Sequence, residues 1–398
     1  MKRILLILFT GFAFSGFSQE LAKGSWHGEI LYDQATVPFE FIIDKNGEQF
    51  KCMIINGDER KLLDVVTVSG DSIWIQLDVF DAEIRAKFTD QSMTGNWIKH
   101  YRKSSIPFQA SYGVSRYPNR GRTDVKINEP WEITFTPSHA LAYKGVGLWE
   151  QTGSKVSGTI MTGVSDFRYF EGVVFGDSIE VSSFDGAHAF LLQGVKTDEG
   201  WQGIFHFDNG YTEDWTARSN PEASLPDPWE VVKVDKGKHR PFFDILSAGS
   251  KNQNIDESDF FGKVLIIQLF GTWCPNSLDQ TRFLYQWYQE NSQRDVEILA
   301  VSYETNFSEA YGLSRIETYK ETLDINYPVI LGGRLSKSQA AVGFPFMEKI
   351  EAFPTLVILD KDGYVRYVHS YFNGPATGKY YDQFVAQFNN IIDELEAE

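Results

Sequence analysis

The chain has 398 residues and a formal net charge of −17, with 37 Lys and Arg against 54 Asp and Glu. This acidic balance argues against nucleic acid and against an anionic membrane surface as partners, because both bind through clustered basic residues. The length predicts two or three domains, and two cysteines cannot build a disulfide framework, so any role they have is as individual thiols.

The N-terminus has the pattern of a secretory signal peptide over residues 1–18. Lys2 and Arg3 precede an apolar run from Ile4 to Phe14, and small residues lead up to Gln19. The alternative is an uncleaved anchor, but the run is shorter than the roughly 20 residues of a membrane span. The sequence therefore predicts an exported protein without a stable membrane span, and a bacterial periplasm is the expected destination.

Residues 19–219 read as an all-β domain. Short runs such as 73–79 alternate apolar and polar residues, and Asn46-Gly47 is a hairpin-turn dipeptide. No sustained 3.6-residue apolar period interrupts them. The pattern predicts about ten antiparallel strands, closed as a barrel or folded as a sandwich.

The β region also contains a short internal repeat. Gly70-Asp71-Ser72-Ile73 recurs as Gly176-Asp177-Ser178-Ile179, and the copies are followed by Gly95-Asn96-Trp97 and Gly200-Trp201. Two matches at nearly the same offset indicate an internal duplication. Convergence of turn-plus-strand sequences is the alternative.

Prolines and charged residues mark residues 220–237 as a linker, and the pattern changes after it. Residues 264–270 form a continuous apolar run that is typical of a buried parallel strand. Strand and helix patterns then alternate, which predicts an α/β domain with a mixed sheet over 238–398. The further elements expected are a helix over 278–289, a strand over 296–301, a helix over 308–323, a hairpin of 355–359 with 364–369, and a closing helix over 380–396.

The residues that carry chemistry lie where the strand at 264–270 meets the following helix. Gly271-Thr272-Trp273 leads directly into Cys274, and Pro275 suits the first position of a helix. Free amide groups and the helix dipole stabilise an anion there, so the position is expected to lower the thiol pKa of Cys274. The sequence thus predicts a nucleophilic thiol.

Residues 238–398 resemble the TlpA-like periplasmic thiol–disulfide oxidoreductases of the thioredoxin-like superfamily. The resemblance rests on Val-Leu-Ile-Ile-Gln-Leu-Phe-Gly-Thr-Trp-Cys-Pro-Asn at 264–276 and on Ala-Phe-Pro-Thr at 352–355, followed by a strand and an Asp-Gly turn. It implies that Pro354 is cis, abuts Cys274 and leaves the backbone at Phe353 free to pair with a bound peptide. It also implies protein or peptide thiols and disulfides as partners.

Two positions depart from that family's pattern. Ser277 stands where the second cysteine of Cys-x-x-Cys is expected, and Gln280 stands where a glutamate is common. Without a resolving thiol, Cys274 is expected to act as a monothiol whose mixed disulfide is released by an external thiol, from a partner protein, a partner reductase or a small molecule.

The remaining site residues are expected to shape the pocket rather than react. Trp273, Pro275, Asn276, Ser277, Gln280, Phe353 and Pro354 form this set, and neither a metal nor another cofactor is expected. Cys52 reads as a buried small hydrophobe, with a cross-domain partner of Cys274 as the alternative.

Two other functions compete with thiol–disulfide exchange. The first is a redox-inactive thioredoxin-fold module that binds proteins or peptides. The second is a peroxide-reducing monothiol, which is weaker because the Thr and Pro pattern of peroxiredoxins does not precede Cys274.

Overall fold

A computed structural model describes residues 20–398 except 78, 119–122, 128, 137, 208–209, 242–256, 307 and 345. The signal peptide predicted over 1–18 lies outside the described residues. Among the helices that are described, none combines the length and the apolar character needed to cross a membrane.

Residues 24–112 form an antiparallel barrel of eight strands, in which each strand pairs with the next and the last pairs with the first. Every second side chain points inward, as the pleat requires. The interior is aromatic, and Trp26, Phe41 and Trp97 are almost fully buried in it. The strands are β1 (Gly24–Leu31), β2 (Thr36–Asn46), β3 (Gln49–Asn56), β4 (Glu59–Ser69), β5 (Ser72–Gln76), β6 (Ala82–Phe88), β7 (Ser92–Lys99) and β8 (Ser104–Tyr112).

Residues 131–219 form a second closed barrel of eight antiparallel strands, in which the first strand pairs with both the second and the last. Trp131 stacks between Trp201 and Trp215 in its core, with ring centroids 5.1 Å and 6.1 Å away. The strands are β9 (Trp131–Phe135), β10 (Tyr143–Thr152), β11 (Lys155–Thr162), β12 (Phe170–Phe175), β13 (Ser178–Phe184), β14 (Ala189–Thr197), β15 (Gly200–Phe207) and β16 (Tyr211–Ser219).

The β region is antiparallel and closed into barrels, as one of the two expected architectures, but its described residues form two barrels with sixteen strands, so the expected number of about ten strands is wrong. Alternation of apolar and polar residues reveals strands but does not reveal which strand closes the sheet. The repeated Gly-Asp-Ser-Ile motifs lie at equivalent places, because each one opens the fifth strand of its barrel. Trp97 and Trp201 both lie in the seventh strand, and this equivalence supports an internal duplication.

The two barrels pack against each other through buried polar contacts. Asn56 of the first barrel donates from Nδ2 to the backbone oxygen of Phe184 at 2.8 Å, and the Trp97 indole donates to the backbone oxygen of Gly186 at 3.1 Å. Lys61 donates to the backbone oxygen of Asp185 at 3.0 Å. The hairpin between β13 and β14 is thus held by the first barrel.

Residues 220–237, expected to be a linker, contain neither helix nor strand and lie against the C-terminal domain. The carbonyl of Pro228 accepts from the amide of Ser370 at 3.0 Å. The Trp229 ring packs on His369, with centroids 4.5 Å apart. The segment is therefore attached along its course.

The C-terminal domain has a five-stranded mixed sheet, and a mixed sheet is what the sequence predicts. The strands are β17 (Val264–Phe270), β18 (Val296–Glu304), β19 (Val329–Arg334), β20 (Thr355–Leu359) and β21 (Val365–His369), and the helices are α1 (Pro275–Glu290), α2 (Glu309–Leu323), α3 (Lys337–Ala340) and α4 (Lys379–Ala397). The strand order is β19-β18-β17-β20-β21. The parallel strands β17 and β18 are buried along most or all of their length because side chains pack on both faces of the sheet.

The elements expected in this domain are all present, with small differences in their bounds. Strand β19 and helix α3 were not predicted. Both are short, and Gly332-Gly333 interrupts the apolar pattern of β19.

Candidate functional site

Cys274 lies at the junction that the sequence indicates, as the N-cap residue of α1. Its carbonyl accepts from the amide of Leu278 at 3.1 Å, which opens the helix, and Pro275 occupies the first turn. The turn from β17 needs Gly271, since a Cβ there would lie 2.2 Å from the Trp273 indole nitrogen. The local sequence therefore fixes where the thiol stands.

The thiol faces the segment that precedes β20. The Cys274 Sγ lies 3.6 Å from the backbone oxygen of Phe353, as a donor to it. The Phe353–Pro354 peptide bond is cis, as the resemblance implies. Cys274, Phe353 and Pro354 thus meet, although the first two are about 80 positions apart in the sequence.

The thiol is not activated in the way that its helix position leads one to expect. Cys274 is 7% exposed, and burial raises its pKa above the ordinary cysteine value. Hydrogen bonds from the Ser277 hydroxyl and from the amides of Ser277 and Asn276 oppose this rise, while the Asp185 carboxylate adds to it. The expected lowering of the pKa is therefore wrong, because desolvation outweighs the helix terminus.

Ser277 and Gln280 are both fully buried in α1. The Ser277 Oγ accepts from the amide of Gly271 at 3.5 Å, beside the thiol. Gln280 pairs instead with Gln268 of β17, whose Nε2 donates to the Gln280 Oε1 at 3.1 Å. A neutral amide pair thus lies behind the thiol at the position where the family commonly has a carboxylate.

A buried carboxylate that the sequence analysis missed holds the loop before Cys274. Glu304, at the end of β18, accepts from the Thr272 amide at 3.1 Å, from its hydroxyl at 3.0 Å and from the Ser302 hydroxyl at 2.5 Å. The neighbouring Tyr303 carbonyl accepts from the Trp273 indole at 2.9 Å. An acidic residue that ends an apolar parallel strand was the available signal, because the carboxyl ends of adjacent strands meet at one edge.

Two further missed residues come from the second barrel, in the loop between β11 and β12. The Asn276 Nδ2 donates to the backbone oxygen of Asp166 at 3.1 Å and to its Oδ1 at 3.0 Å. Arg168 donates to the carbonyl of Pro275 at 3.3 Å and pairs with Asp279 of α1. No pattern in the sequence joins these residues, which are about 110 positions apart.

Cys52 packs among the buried apolar residues of the first barrel. Both cysteines are free, and Cys52 is 2% exposed on β3 inside the first barrel, where burial raises its pKa. The expectation of a buried small hydrophobe is confirmed. Across the described ranges, no group of three or more His, Cys, Asp and Glu is arranged to hold a metal ion.

The C-terminal domain is similar to known proteins. A family model, the AhpC/TSA family, matches residues 237–368. Thiol-disulfide oxidoreductase ResA of Bacillus thuringiensis is 26% identical over 136 residues, which cover 33% of this chain and 68% of the relative. Thiol:disulfide interchange protein DsbE of Pseudomonas aeruginosa is 23% identical over 171 residues, which cover 43% of this chain and 85% of the relative.

A solved structure of a thioredoxin-family thiol:disulfide interchange protein from Chlorobium tepidum is 20% identical, with a TM-score of 0.27. The match covers 35% of the present chain and 85% of the chain in the solved structure. The family match and the two relatives identify residues 237–368 as a thioredoxin-like domain, similar to thiol–disulfide oxidoreductases.

Proposed function

We propose that this protein exchanges thiols with disulfides through Cys274 alone, as an exported monothiol. The observation that carries the proposal is the meeting of Cys274, as the N-cap of α1, with the Phe353 carbonyl ahead of cis Pro354. The relatives named thiol–disulfide oxidoreductases support the same class of reaction. Export is inferred from residues 1–18 as a signal peptide.

The reaction proceeds in two exchanges. Cys274 loses its proton to solvent, and the thiolate attacks one sulfur of a substrate disulfide, so that a mixed disulfide forms and the other substrate sulfur leaves as a thiolate. An external thiolate then attacks the substrate sulfur of the mixed disulfide. This step releases Cys274 as a thiolate and forms a new disulfide between substrate and external thiol. A second external thiolate attacks that disulfide and releases the substrate thiolate, so two thiols are consumed for each substrate disulfide that is fully reduced.

The domain bounds belong to the same proposal. We infer a mature chain of a β region over 19–219, a connecting segment over 220–237 and a thioredoxin-like domain over 238–398. Protein or peptide disulfides are the proposed substrates, and a small thiol or a partner reductase is the proposed source of the second thiol.

The test uses full-length mature protein and glutathione disulfide. Mass spectrometry of Cys52→Ala protein is expected to show one glutathione adduct, mapped to Cys274 and removed by reduced glutathione. Exchange between glutathione and hydroxyethyl disulfide is expected to fall to the uncatalysed rate in Cys274→Ala, while Cys52→Ala keeps its rate. Equal rates with and without Cys274 would contradict the proposal.

Burial of Cys274 favours a second candidate, a redox-inactive binding module. A thiol that is 7% exposed and has a raised pKa is a poor nucleophile at neutral pH. If the glutathione adduct fails to form in folded protein but forms in urea, the binding module is the better description.

A further inference from the structure

The loop between β11 and β12 lies across the first turn of α1. Asp166 in this loop accepts at Oδ1 from the Asn276 Nδ2 at 3.0 Å and from the amide of Gly374 at 2.8 Å. The Ser165 hydroxyl donates to the carbonyl of Phe372 at 3.4 Å. The loop is thus fastened both to the helix that begins at Cys274 and to the segment after β21.

The Arg168 side chain contacts the first barrel, the second barrel and the thioredoxin-like domain. Its guanidinium donates to Pro275 and Asp279 of the thioredoxin-like domain and to Glu59 of the first barrel. It also lies 4.0 Å from the carboxylate of Asp185 in its own barrel. Arg168 is 3% exposed, so its buried charge faces three carboxylates at the junction, and Lys61 is a second buried cation beside Glu59 and Asp185.

The contacts between this loop and the thioredoxin-like domain are of a kind that can break and re-form while the domains stay folded. The contacts that Asp166 and Arg168 make across the joint are polar and charged, so water can solvate these groups once they separate, while the Phe167 ring between them stays packed against Phe190 and Phe205 in the second barrel. Arg168 has a φ of +59°, in the left-handed region that costs energy for a residue with a Cβ. The contacts of its side chain are what keep this conformation, so their loss favours release of the loop.

We propose that residues 163–168 form a latch that decides which disulfides reach Cys274, with Asp166 and Arg168 as its specificity-determining residues. While the latch is closed, the thiol has little contact with solvent and bulky disulfide substrates are excluded. Release of Arg168 uncovers the first turn of α1 and admits them. This inference rests on the proposed exchange at Cys274 for its functional meaning, but the closure itself is tested without that chemistry.

The test measures access to Cys274 with two maleimides, N-ethylmaleimide and a maleimide that carries a long polyethylene glycol chain. The Cys52→Ala background leaves Cys274 as the one thiol. The alkylation rate is followed over pH to its plateau, where the thiol is fully ionised. The plateau then reports access alone, whereas the midpoint reports the charges around the thiol.

Arg168→Ala is expected to raise the plateau rate with the bulky maleimide by at least about tenfold, because it removes the buried guanidinium that joins Glu59 of the first barrel to Asp279 of the thioredoxin-like domain. The rate with N-ethylmaleimide is expected to rise less. Asp166→Ala is expected to act in the same direction. Arg218→Ala is the matched control, since Arg218 pairs with Glu132 on the exposed side of the same barrel. Unchanged plateaus in Arg168→Ala and Asp166→Ala would overturn the latch.

Wild-type protein provides a second measurement that needs no variant. The amide of Gly374 donates to Asp166 across the joint, so hydrogen exchange at this amide reports the latch. It is expected to exchange much faster than strand amides such as that of Val174. Equal protection would mean that the latch opens only with global unfolding, and would overturn the proposal. If the latch opens by these measurements but the protein does not catalyse glutathione exchange, the proposed function is refuted and the proposed latch is retained.

Discussion

Asn276, inside the Cys-x-x-Ser segment, donates from its side-chain amide to Asp166 in the second β barrel, at 3.1 Å to the backbone oxygen and 3.0 Å to Oδ1. A side chain two positions after the thiol is therefore engaged by another domain. The thiol site of this protein is composite, and its behaviour depends on the barrels as well as on the thioredoxin-like fold.

Replacement of Ser277 by cysteine is expected to create a dithiol site. The Ser277 hydroxyl lies beside the Cys274 thiol in the first turn of α1, so a sulfur there is placed to attack a mixed disulfide internally. Reduction of hydroxyethyl disulfide by dithiothreitol should rise by about tenfold or more in Ser277→Cys, because the resolving step becomes intramolecular.

Ser277→Ala is the matched control for that variant and should show no gain. Titration of free thiols after mild oxidation should find two fewer in Ser277→Cys than in the reduced form. If the two sulfurs do not join, the site is too rigid or too distorted for dithiol chemistry.

The pH dependence of Cys274 alkylation is expected to be shifted upward. Because burial raises the pKa of the thiol, the rate should climb about tenfold per pH unit through neutrality and reach half of its plateau above the ordinary value of about 8.5. Ser277→Ala should move the midpoint higher still, since the hydroxyl of Ser277 favours the thiolate. A midpoint below 8 in Cys52→Ala protein would show that the helix terminus dominates after all.

Glu304→Gln is expected to destabilise the protein by about 1–3 kcal/mol, because the amide keeps one acceptor oxygen in place of two, so the Thr272 amide, the Thr272 hydroxyl and the Ser302 hydroxyl can no longer all donate to this side chain. Urea unfolding with matched slopes measures this change. Glu317→Gln, an exposed position on α2, should have no measurable effect. Equal stability of both variants would mean that the Glu304 network contributes little to the fold.

His369 is expected to make the protein less stable in mild acid. It is 2% exposed, and burial lowers its pKa to about 3. The folded state thus keeps the imidazole neutral while the unfolded state takes up a proton below about 6.5, so stability is present above that pH and is lost as the pH falls towards 3.

The loss that His369 causes between pH 8 and pH 5 should be about 2 kcal/mol, at 1.36 kcal/mol per pH unit below 6.5. Urea unfolding of His369→Phe should lack this part of the pH dependence. The control is His139→Gln, which alters an exposed histidine and should retain it. A pH profile in His369→Phe identical to that of the wild type would refute the assignment.

The sequence by itself determined the thioredoxin-like domain and the place of its thiol. The apolar run 264–270, the turn at Gly271 and the proline after Cys274 are local signals, and local backbone preferences are enough to set a strand, a turn and a helix start. The cis Phe353–Pro354 bond was implied by the family resemblance of the segment around it. Glu304 was within reach of such reasoning, because the order of parallel strands places their ends together.

Tertiary structure alone decided how the barrels close and how the thiol is covered. Strand alternation carries no information on which edges meet, so β8 pairing with β1 and β16 pairing with β9 could not be read from it. The contacts of Asp166 and Arg168 join residues about 110 positions apart, and the burial that raises the pKa of Cys274 is visible only in the folded chain. Helix position is a local property of the chain, whereas desolvation depends on everything that packs around the thiol, and here the second effect is the larger.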